Sequence, residues 1–551
     1  MQATINFSDN TLVIGANDVG KSNMLHALRI LLDKSLSDSD IEPTELDFHI
    51  DLLGNEQNEL SITICFSSVF EDSALSVLKG YVSDEGVTYF RYTASRGDLS
   101  YRLFVGYSLD TLEEVSSRFY LKYIHLKYIQ SRRDLDKFIY REKKQLLKIA
   151  QNKLSIQEEN DDRALLQKIG TSLNQLNIDI SQLKYVSKAT EDVNEELQKL
   201  GYQNENYKVQ LDTGAIEVTD FIDKLKLGAK RSGSSVLLGG DGRNNQILLA
   251  LWKAKSVIEY DSDHEVVFYV IEEPEAHLHP HQQRKLSSYL VSELPSQTII
   301  STHSPQIAAS FSPNSIIRLL IKQNGTIAAS GGCSESIEEG YLNMGYRMSI
   351  IPAEAFYSNG VFLVEGPSEE LFYHKLASSL GVDLDFYNIS ILSVDGISFQ
   401  VFVSILDALE IPWVMRTDND VSKVPRKDEW RYAGLNRALR IAGEEEYPNN
   451  PTQLTSQDLI DNGLWTKTSE LIEPQGIYIS KIDLENDLVN ELGVEICAVL
   501  NKSNNMAAVK YLQGKKAIRM AELLRGLQGN MYKLQEGNIA KPLLDIVARV
   551  K

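Results

Sequence analysis

Eight residues near the start of the chain, Gly15-Ala16-Asn17-Asp18-Val19-Gly20-Lys21-Ser22, constrain the fold more than any other stretch. They fit GxxxxGK[ST] and stand between a strand-like run, TLVIG, and a helix-like run, NMLHALRILLDK. Strand, Gly-rich loop and helix in that order belong to α/β architecture. Backbone N–H groups of such a loop cradle phosphates at a helix N-terminus, a lysine reaches the β- and γ-phosphates, and a hydroxyl ligates Mg²⁺. Gly15, Asn17, Gly20, Lys21 and Ser22 are therefore candidate binders of ATP or another NTP, with Ser22 also a metal ligand.

A second motif supports the first. The apolar run VVFYVI (266–271) ends in Glu272-Glu273-Pro274-Glu275. At such a strand end Glu272 can hold the Mg²⁺ shell and Glu273 can polarise an attacking water. His303, in Ser301-Thr302-His303-Ser304-Pro305, follows another strand and is suited to sense a γ-phosphate.

The 551 residues exceed one compact core, so two or three domains are expected. The α/β pattern of the first is interrupted. From 163 to 200 apolar residues recur in three- and four-residue steps (Leu165, Ile169, Leu173, Leu176, Ile180, Leu183, Val186, Val193, Leu197, Leu200), which predicts a helical pair or coiled coil. The expected divisions are a first ATPase segment at 1–150, a helical insertion and dimerisation element at 151–210, a second ATPase segment at 211–345, and a second α/β domain at 346–551. Three scattered cysteines argue against a disulfide framework. No apolar run reaches bilayer length and the N-terminus lacks signal-peptide character, so a cytoplasmic protein without membrane contact is expected.

The net charge of −20 weighs against a polyanionic partner, since DNA affinity comes mainly from Lys and Arg. Totals hide patches, however. Residues 121–150 carry nine Lys/Arg against three Asp/Glu, and residues 501–530 carry six against one. Either alone is most simply a solvated helix face.

The chemistry beside the second patch changes its weight. A strand GVFLV runs into Glu365-Gly366-Pro367-Ser368-Glu369, and a strand WVMRT ends in Asp418-Asn419-Asp420. On an extended chain positions i and i+2 point the same way, so Asp418 and Asp420 are expected to face one spot. Parallel strands ending together bring Glu365 beside them, at the edge where α/β sheets place their sites. Carboxylates so close call for a cation, predicting Mg²⁺ or Mn²⁺ held through oxygen, an arrangement suited to phosphodiester hydrolysis.

The phrases IEEPEAHLHP and STHSP resemble the ABC-type ATPase domains shared by SMC-like proteins and the OLD (overcoming lysogenisation defect) nucleases. Glu272 stands where the Walker B Asp is usual. Gly240-Asp241-Gly242-Arg243 lies where LSGGQ is expected, and by resemblance Asp241, Gly242 and Arg243 meet the nucleotide of a second protomer. The family also carries a strand ahead of the one leading to Gly15, so an upstream start is expected. EGPSE and DND in order are similar to the Toprim domain of topoisomerases, primases and OLD nucleases, a Rossmann-like fold. Asp483-Leu484-Glu485-Asn486-Asp487 resembles the third acidic element, and Lys516 in YLQGKK resembles the catalytic lysine, with Lys515 adjacent. The resemblance implies that Glu365, Glu369, Asp418, Asp420 and Asp483 or Glu485 hold metal while Lys516 stabilises charge on the scissile phosphate.

VFLVEGPSEELF, RTDND, GLNRAL and IDLENDL are especially similar to Gabija-type nucleases. That resemblance implies anti-phage defence, double-stranded DNA as substrate, a homo-oligomer (dimer or tetramer) and a UvrD-like helicase partner, GajB. The expected function is a nucleotide-regulated, metal-dependent DNA endonuclease. The alternative is an SMC-like ATP-dependent clamp or scaffold without nuclease activity. Clustered carboxylates discriminate, because a pure binding surface gains nothing from groups that repel phosphate.

Overall fold

The computed structural model describes residues 3–50, 54–130, 135–199, 218, 222, 228–231, 234–237, 247, 250–251, 265–276, 278–293, 297–322, 325–333, 350–394, 399–527 and 529–551. The chain forms two compact units, one of Met1–Ile129, Asp263–Glu275 and Pro280–Lys551, the other of Gln130–Ser262 with Ala276–His279.

The second unit contains the helices Leu135–Asn152, Ile156–Ser181 and Lys184–Lys199 and the hairpin Gly228–Arg231/Ser234–Leu237. The 163–200 stripe is thus two helices, parted after Ser181. Ser155 starts the longer one with a capping box, its N–H donating to Glu158 Oε2 at 2.9 Å and its Oγ accepting the Glu158 N–H. Leu165, Leu176 and Val193 lie half exposed along the stripe. The helix Leu135–Asn152 groups with this unit rather than with the 1–150 segment, because the chain leaves the ATPase sheet at the end of the strand Ile124–Gln130.

In the first unit the apolar run preceding Gly15 becomes the buried strand Asn10–Ile14, central in a six-stranded sheet. Its order is Gly325–Ala328, Ile316–Lys322, Asn10–Ile14, Thr298–Ser301, Val266–Glu272, Ile124–Gln130. The Asn10–Ile14 strand runs parallel to both its neighbours, and Thr298–Ser301 runs parallel to Val266–Glu272. Gly15, Glu272 and His303 therefore leave the sheet on one edge. Leu60, Ile62, Ile64 and Phe66, which alternate with small or polar residues, lie on the strand Glu59–Phe66, the edge of an antiparallel sheet continued by Thr88–Ser95, Tyr101–Gly106 and Glu113–Val115.

The second α/β region is a four-stranded parallel sheet ordered Ile389–Ser393, Gly360–Val364, Trp413–Thr417, Ile477–Ile479. Strand order reverses between Gly360–Val364 and Trp413–Thr417, the switch point at which such sheets bind ligands. Phe362 and Val364 pack with Phe372, Tyr373, Leu488 and Leu523 in a core drawn from the helices Pro367–Ser379, Leu484–Leu500 and Lys516–Leu527. Every residue of Gly360–Val364 is buried, as a strand covered on both faces requires.

Polar bonds join the two sheets. Arg318, on the strand beside Asn10–Ile14, donates to the carbonyls of Leu409, Glu410 and Ser358 at 3.1, 3.0 and 3.1 Å. Glu410 accepts the Ser330 N–H at 3.1 Å and pairs with Lys322. Three carbonyls converging on one guanidinium lose their donor together if it is removed. Arg318→Ala is expected to cost about 2–4 kcal/mol, read as a lower midpoint in denaturant unfolding, whereas Arg318→Lys recovers part of the loss.

Candidate functional site

Gly15 and Gly20 take positive φ values of 152° and 91°, which open the loop between the strand and the helix Lys21–Leu32. A Cβ on Gly15 would sit 2.7 Å from the Leu319 carbonyl oxygen, so the residue is also dictated by close packing. Lys21 is buried and donates to the carbonyls of Gly15 and Ala16 at 2.9 and 2.7 Å. Burial lowers its pKa, against the pull of Glu273, Asp18 and Glu272. Ser22 Oγ donates to Glu272 Oε1 at 2.7 Å, and Tyr128 donates to the other oxygen of that carboxylate. His303 Nε2 stands 3.7 Å from Glu273 Oε1, and burial followed by the charge of Lys21 lowers its pKa. Glu275 fixes this loop by accepting from Thr302 Oγ1 and the His303 N–H, each at 2.7 Å.

The carboxylate site is built at the switch point. Glu365, just past Gly360–Val364, accepts the Asp418 N–H at 2.9 Å and the Thr417 hydroxyl. Asp418 is nearly buried, with Oδ1 accepting from Ser480 Oγ at 3.3 Å. Lys516 Nζ stands 3.6 Å from Asp418 Oδ2 and 3.7 Å from Glu485 Oε2. Burial raises the pKa of Asp418 well above the carboxylate range, with Glu369 and Glu365 adding to it. Burial likewise raises Glu485. Desolvation opposes the charge on Lys516, but Asp418 and Glu485 overcome it and bring its pKa to about 12. Behind the site the buried Arg416 donates to Asp487 Oδ2 at 2.7 Å and lies 3.7 Å from Glu369 Oε1.

The family description AAA ATPase domain matches residues 1–98 and 109–308, more than half of the chain. The chain belongs to the AAA ATPase domain family. Following that ATPase domain, the description Overcoming lysogenization defect protein-like, TOPRIM domain, matches residues 356–420. The chain is a homologue of Endonuclease GajA of Bacillus cereus (strain VD045), 25% identical over 563 residues, 96% of this chain and 93% of that protein. It is 30% identical over 171 residues to the OLD nuclease of Thermus scotoductus, 29% of this chain and 32% of that one. Among solved structures, the C-terminal region of the Burkholderia pseudomallei OLD protein is 23% identical with a TM-score of 0.27, covering 35% of this chain and 100% of that one.

Within the ATPase domain the loop brings Lys21, Ser22, Glu272, Glu273 and His303 to one sheet edge. Asp241, Gly242 and Arg243 lie outside the described residues. In the TOPRIM domain Asp418, Glu485 and Lys516 meet and Glu365 reaches the Asp418 N–H, but Asp418 and Asp420 do not face one spot. The chain leaves the strand after Thr417, and the two carboxylates turn to different cations, Asp418 to Lys516 and Asp420 to Arg437. Glu369 turns inward. Its Oε2 accepts the N–H groups of Glu365 and Gly366 at 2.6 and 3.3 Å, and burial lifts its pKa to about 7. Asp483 caps the helix Leu484–Leu500, accepting the Asn486 N–H at 2.7 Å, and takes Gln513 Nε2 at 2.7 Å. Arg437 and Arg416 escaped the sequence reading. Arg416 carried a signal, a lone cation inside the apolar run WVMRT that needs a buried acid.

Among the described residues no three acidic, His or Cys side chains converge on one point. The donors nevertheless fit a hard divalent ion. All are oxygens, and Glu485 Oε2 is buried without a hydrogen-bond partner.

The helix Ala433–Ala442 crosses the Asp418–Asp420 loop at Gly434, where a Cβ would come within 2.1 Å of the Asp418 carbonyl oxygen and 2.7 Å of the Asp420 nitrogen. Gly434→Ala is expected to destabilise by about 1–3 kcal/mol and to displace the loop. Gly366→Ala, with nothing within 4 Å of its Cβ, is the control that leaves the unfolding midpoint unchanged.

Proposed function

We propose that this protein is a nucleotide-regulated, metal-dependent DNA endonuclease acting in anti-phage defence of the Gabija kind. One observation carries the reading: two buried carboxylates, Asp418 and Glu485, stand around a single lysine at the switch point of a parallel sheet. Glu365, Asp418, Asp420 and Glu485 would hold Mg²⁺ or Mn²⁺. A bound ion of this type activates water and stabilises the leaving oxygen of a phosphodiester. Lys516, kept charged by its acidic neighbours, supplies a positive charge to the scissile phosphate. Ser480 and Thr417 orient Asp418 and Glu365 through their hydroxyls. Lys502 and Arg519 lie 3.8 and 4.1 Å from the Tyr511 ring, next to the helix that begins with Lys516, and offer the DNA backbone a basic approach.

In the ATPase domain the loop N–H groups and Lys21 receive the phosphates of ATP, Ser22 and Glu272 would hold its Mg²⁺, and Glu273 with His303 addresses the γ-phosphate. Regulation is supported by direct bonds between the domains. Thr326 Oγ1 donates to the Val19 carbonyl in the nucleotide loop at 2.8 Å, and its hairpin partner strand carries Arg318 and Lys322 to Glu410. Glu410 lies just ahead of the strand Trp413–Thr417, which leads into Asp418. On the other side Tyr357 donates to the Ser304 carbonyl at 3.4 Å, just ahead of the strand Gly360–Val364, which leads into Glu365. The exposed apolar stripe of the helical unit supports a homo-oligomer, dimer or tetramer, and a UvrD-like helicase is the expected partner. Among the described residues no helix is long and apolar enough to cross a membrane.

Asp418→Asn and Glu365→Gln are each expected to abolish Mg²⁺- or Mn²⁺-dependent cleavage of plasmid DNA while circular dichroism and the elution volume stay unchanged. Cleavage at the parent rate by both variants defeats the endonuclease reading. Lys21→Ala is expected to weaken ATP binding at least tenfold, measured by equilibrium binding of a fluorescent ATP analogue. It removes about 1.4 kcal/mol or more of phosphate contact.

A further inference from the structure

The two halves of the carboxylate cluster are neutralised differently. On the Asp418–Glu485 side Lys516 stands off at 3.6 and 3.7 Å, beyond hydrogen-bond reach, so oxygen lone pairs remain open. Glu485 Oε2 is buried with no hydrogen-bond partner. On the Glu365–Asp420 side Arg437 bonds directly. Its Nη1 donates to Glu365 Oε1 and Thr417 Oγ1, and its Nη2 donates to Asp420 Oδ2 at 3.2 Å.

That placement is built into the backbone. Gly434 N–H donates to the Asp420 carbonyl at 2.9 Å, and no larger residue fits where the helix meets the loop. One residue before Arg437, Asn436 clasps Tyr447 through both amide atoms, donating at 2.8 Å and accepting at 2.9 Å. Arg437 follows Gly434 by three positions and so lies over the same loop. A guanidinium keeps its charge at every working pH, so it leaves these oxygens by displacement only and never by deprotonation.

The charges agree with this division. Glu365, Asp418, Asp420 and Glu485 bring four negative charges when ionised, and Lys516 with Arg437 brings two positive ones. The remainder is what one divalent ion balances.

We propose that Arg437 is the resident cation of the Glu365–Asp420 half and competes with a second divalent ion there. The free protein then takes one ion tightly on the Asp418–Glu485 side and a second only weakly. The second position opens when Arg437 is drawn to another anion, and a phosphate offers the guanidinium the same bidentate geometry. This rests on the reading that the cluster holds Mg²⁺ or Mn²⁺.

The test counts Mn²⁺ bound to the full-length chain by calorimetry and electron paramagnetic resonance, without DNA or nucleotide. A Glu272→Gln background silences the ATPase position. The parent is expected to show one tight ion. Arg437→Gln is expected to show two, with the second tightened by about tenfold or more, and Arg437→Lys, which keeps the charge, to stay nearer one. Thr417→Val removes an Arg437 acceptor without removing a carboxylate and is expected to tighten the second ion to a smaller degree. It serves if Arg437→Gln does not fold. Two equal ions in the parent, or an unchanged second ion in both Arg437→Gln and Thr417→Val, overturn the role of Arg437 and leave the metal reading standing. No Mn²⁺ bound by any variant overturns both.

Discussion

The hydrogen bond from the Asp418 N–H to Glu365 ties together the two strand ends on which the TOPRIM site depends. The strands Gly360–Val364 and Trp413–Thr417 pair in parallel, with Leu363 opposite Met415, so both carboxylates emerge on one edge. A parallel pair cannot be closed by a short turn, and the chain between them supplies the helices Pro367–Ser379 and Leu384–Tyr387, the strand Ile389–Ser393 and the helix Phe399–Ala408 before returning. The switch in strand order leaves a crevice at that point, and the acids line it. The geometry of this cluster follows from sheet topology more than from any local conformation.

Concentrating acids in a buried crevice is costly, and the fold offsets the cost with a cation at each depth. Arg416 sits deepest, among Glu369 and Asp487; removing one partner of a buried pair costs about 3–5 kcal/mol, so this arginine is structural in origin. Lys516 stands at the mouth, half exposed, where its charge can be shared with an incoming phosphate. Arg437 holds the outer acids. Burial still raises the pKa values of Asp418 and Glu485 beside Lys516 and of Glu369 and Asp487 beside Arg416, so the compensation is incomplete around both cations.

Local motifs were legible because their chemistry is written in adjacent residues. Gly15 to Ser22, Glu272 with Glu273, and Asp418 with Glu365 needed only strand ends and alternation. What the sequence left open depends on distant partners. Whether Asp483 or Glu485 faces the lysine is decided by which one caps the helix, and Asp483 does. Glu369 looked equivalent to Glu365, but the capping box spends its carboxylate on two backbone amides. The alternation rule misjudged Asp420 because it presumes that the strand continues past Thr417. Arg437 left no trace in spacing, since its targets lie 72 and 17 residues away in the chain.

The same topology accounts for how two chemistries can share one compact unit. The nucleotide loop and the carboxylate loop both sit at strand ends, and the strand Ile316–Lys322 touches each, packing its Leu319 carbonyl under Gly15 and extending Arg318 and Lys322 to the turn at Glu410. That turn holds a non-glycine residue at a φ of 49°, a conformation costing about 1–2 kcal/mol. It persists because the carboxylate of Glu410 is bound by Ser330 and Lys322 and its carbonyl by Arg318. The strand from Trp413 to Thr417 begins three residues later, and its far end carries Asp418. Among the described residues the turn at Glu410 is therefore held to the nucleotide-side sheet by Arg318, Lys322 and Ser330, and Tyr357 on the Ser304 carbonyl is a separate bond between the same two regions.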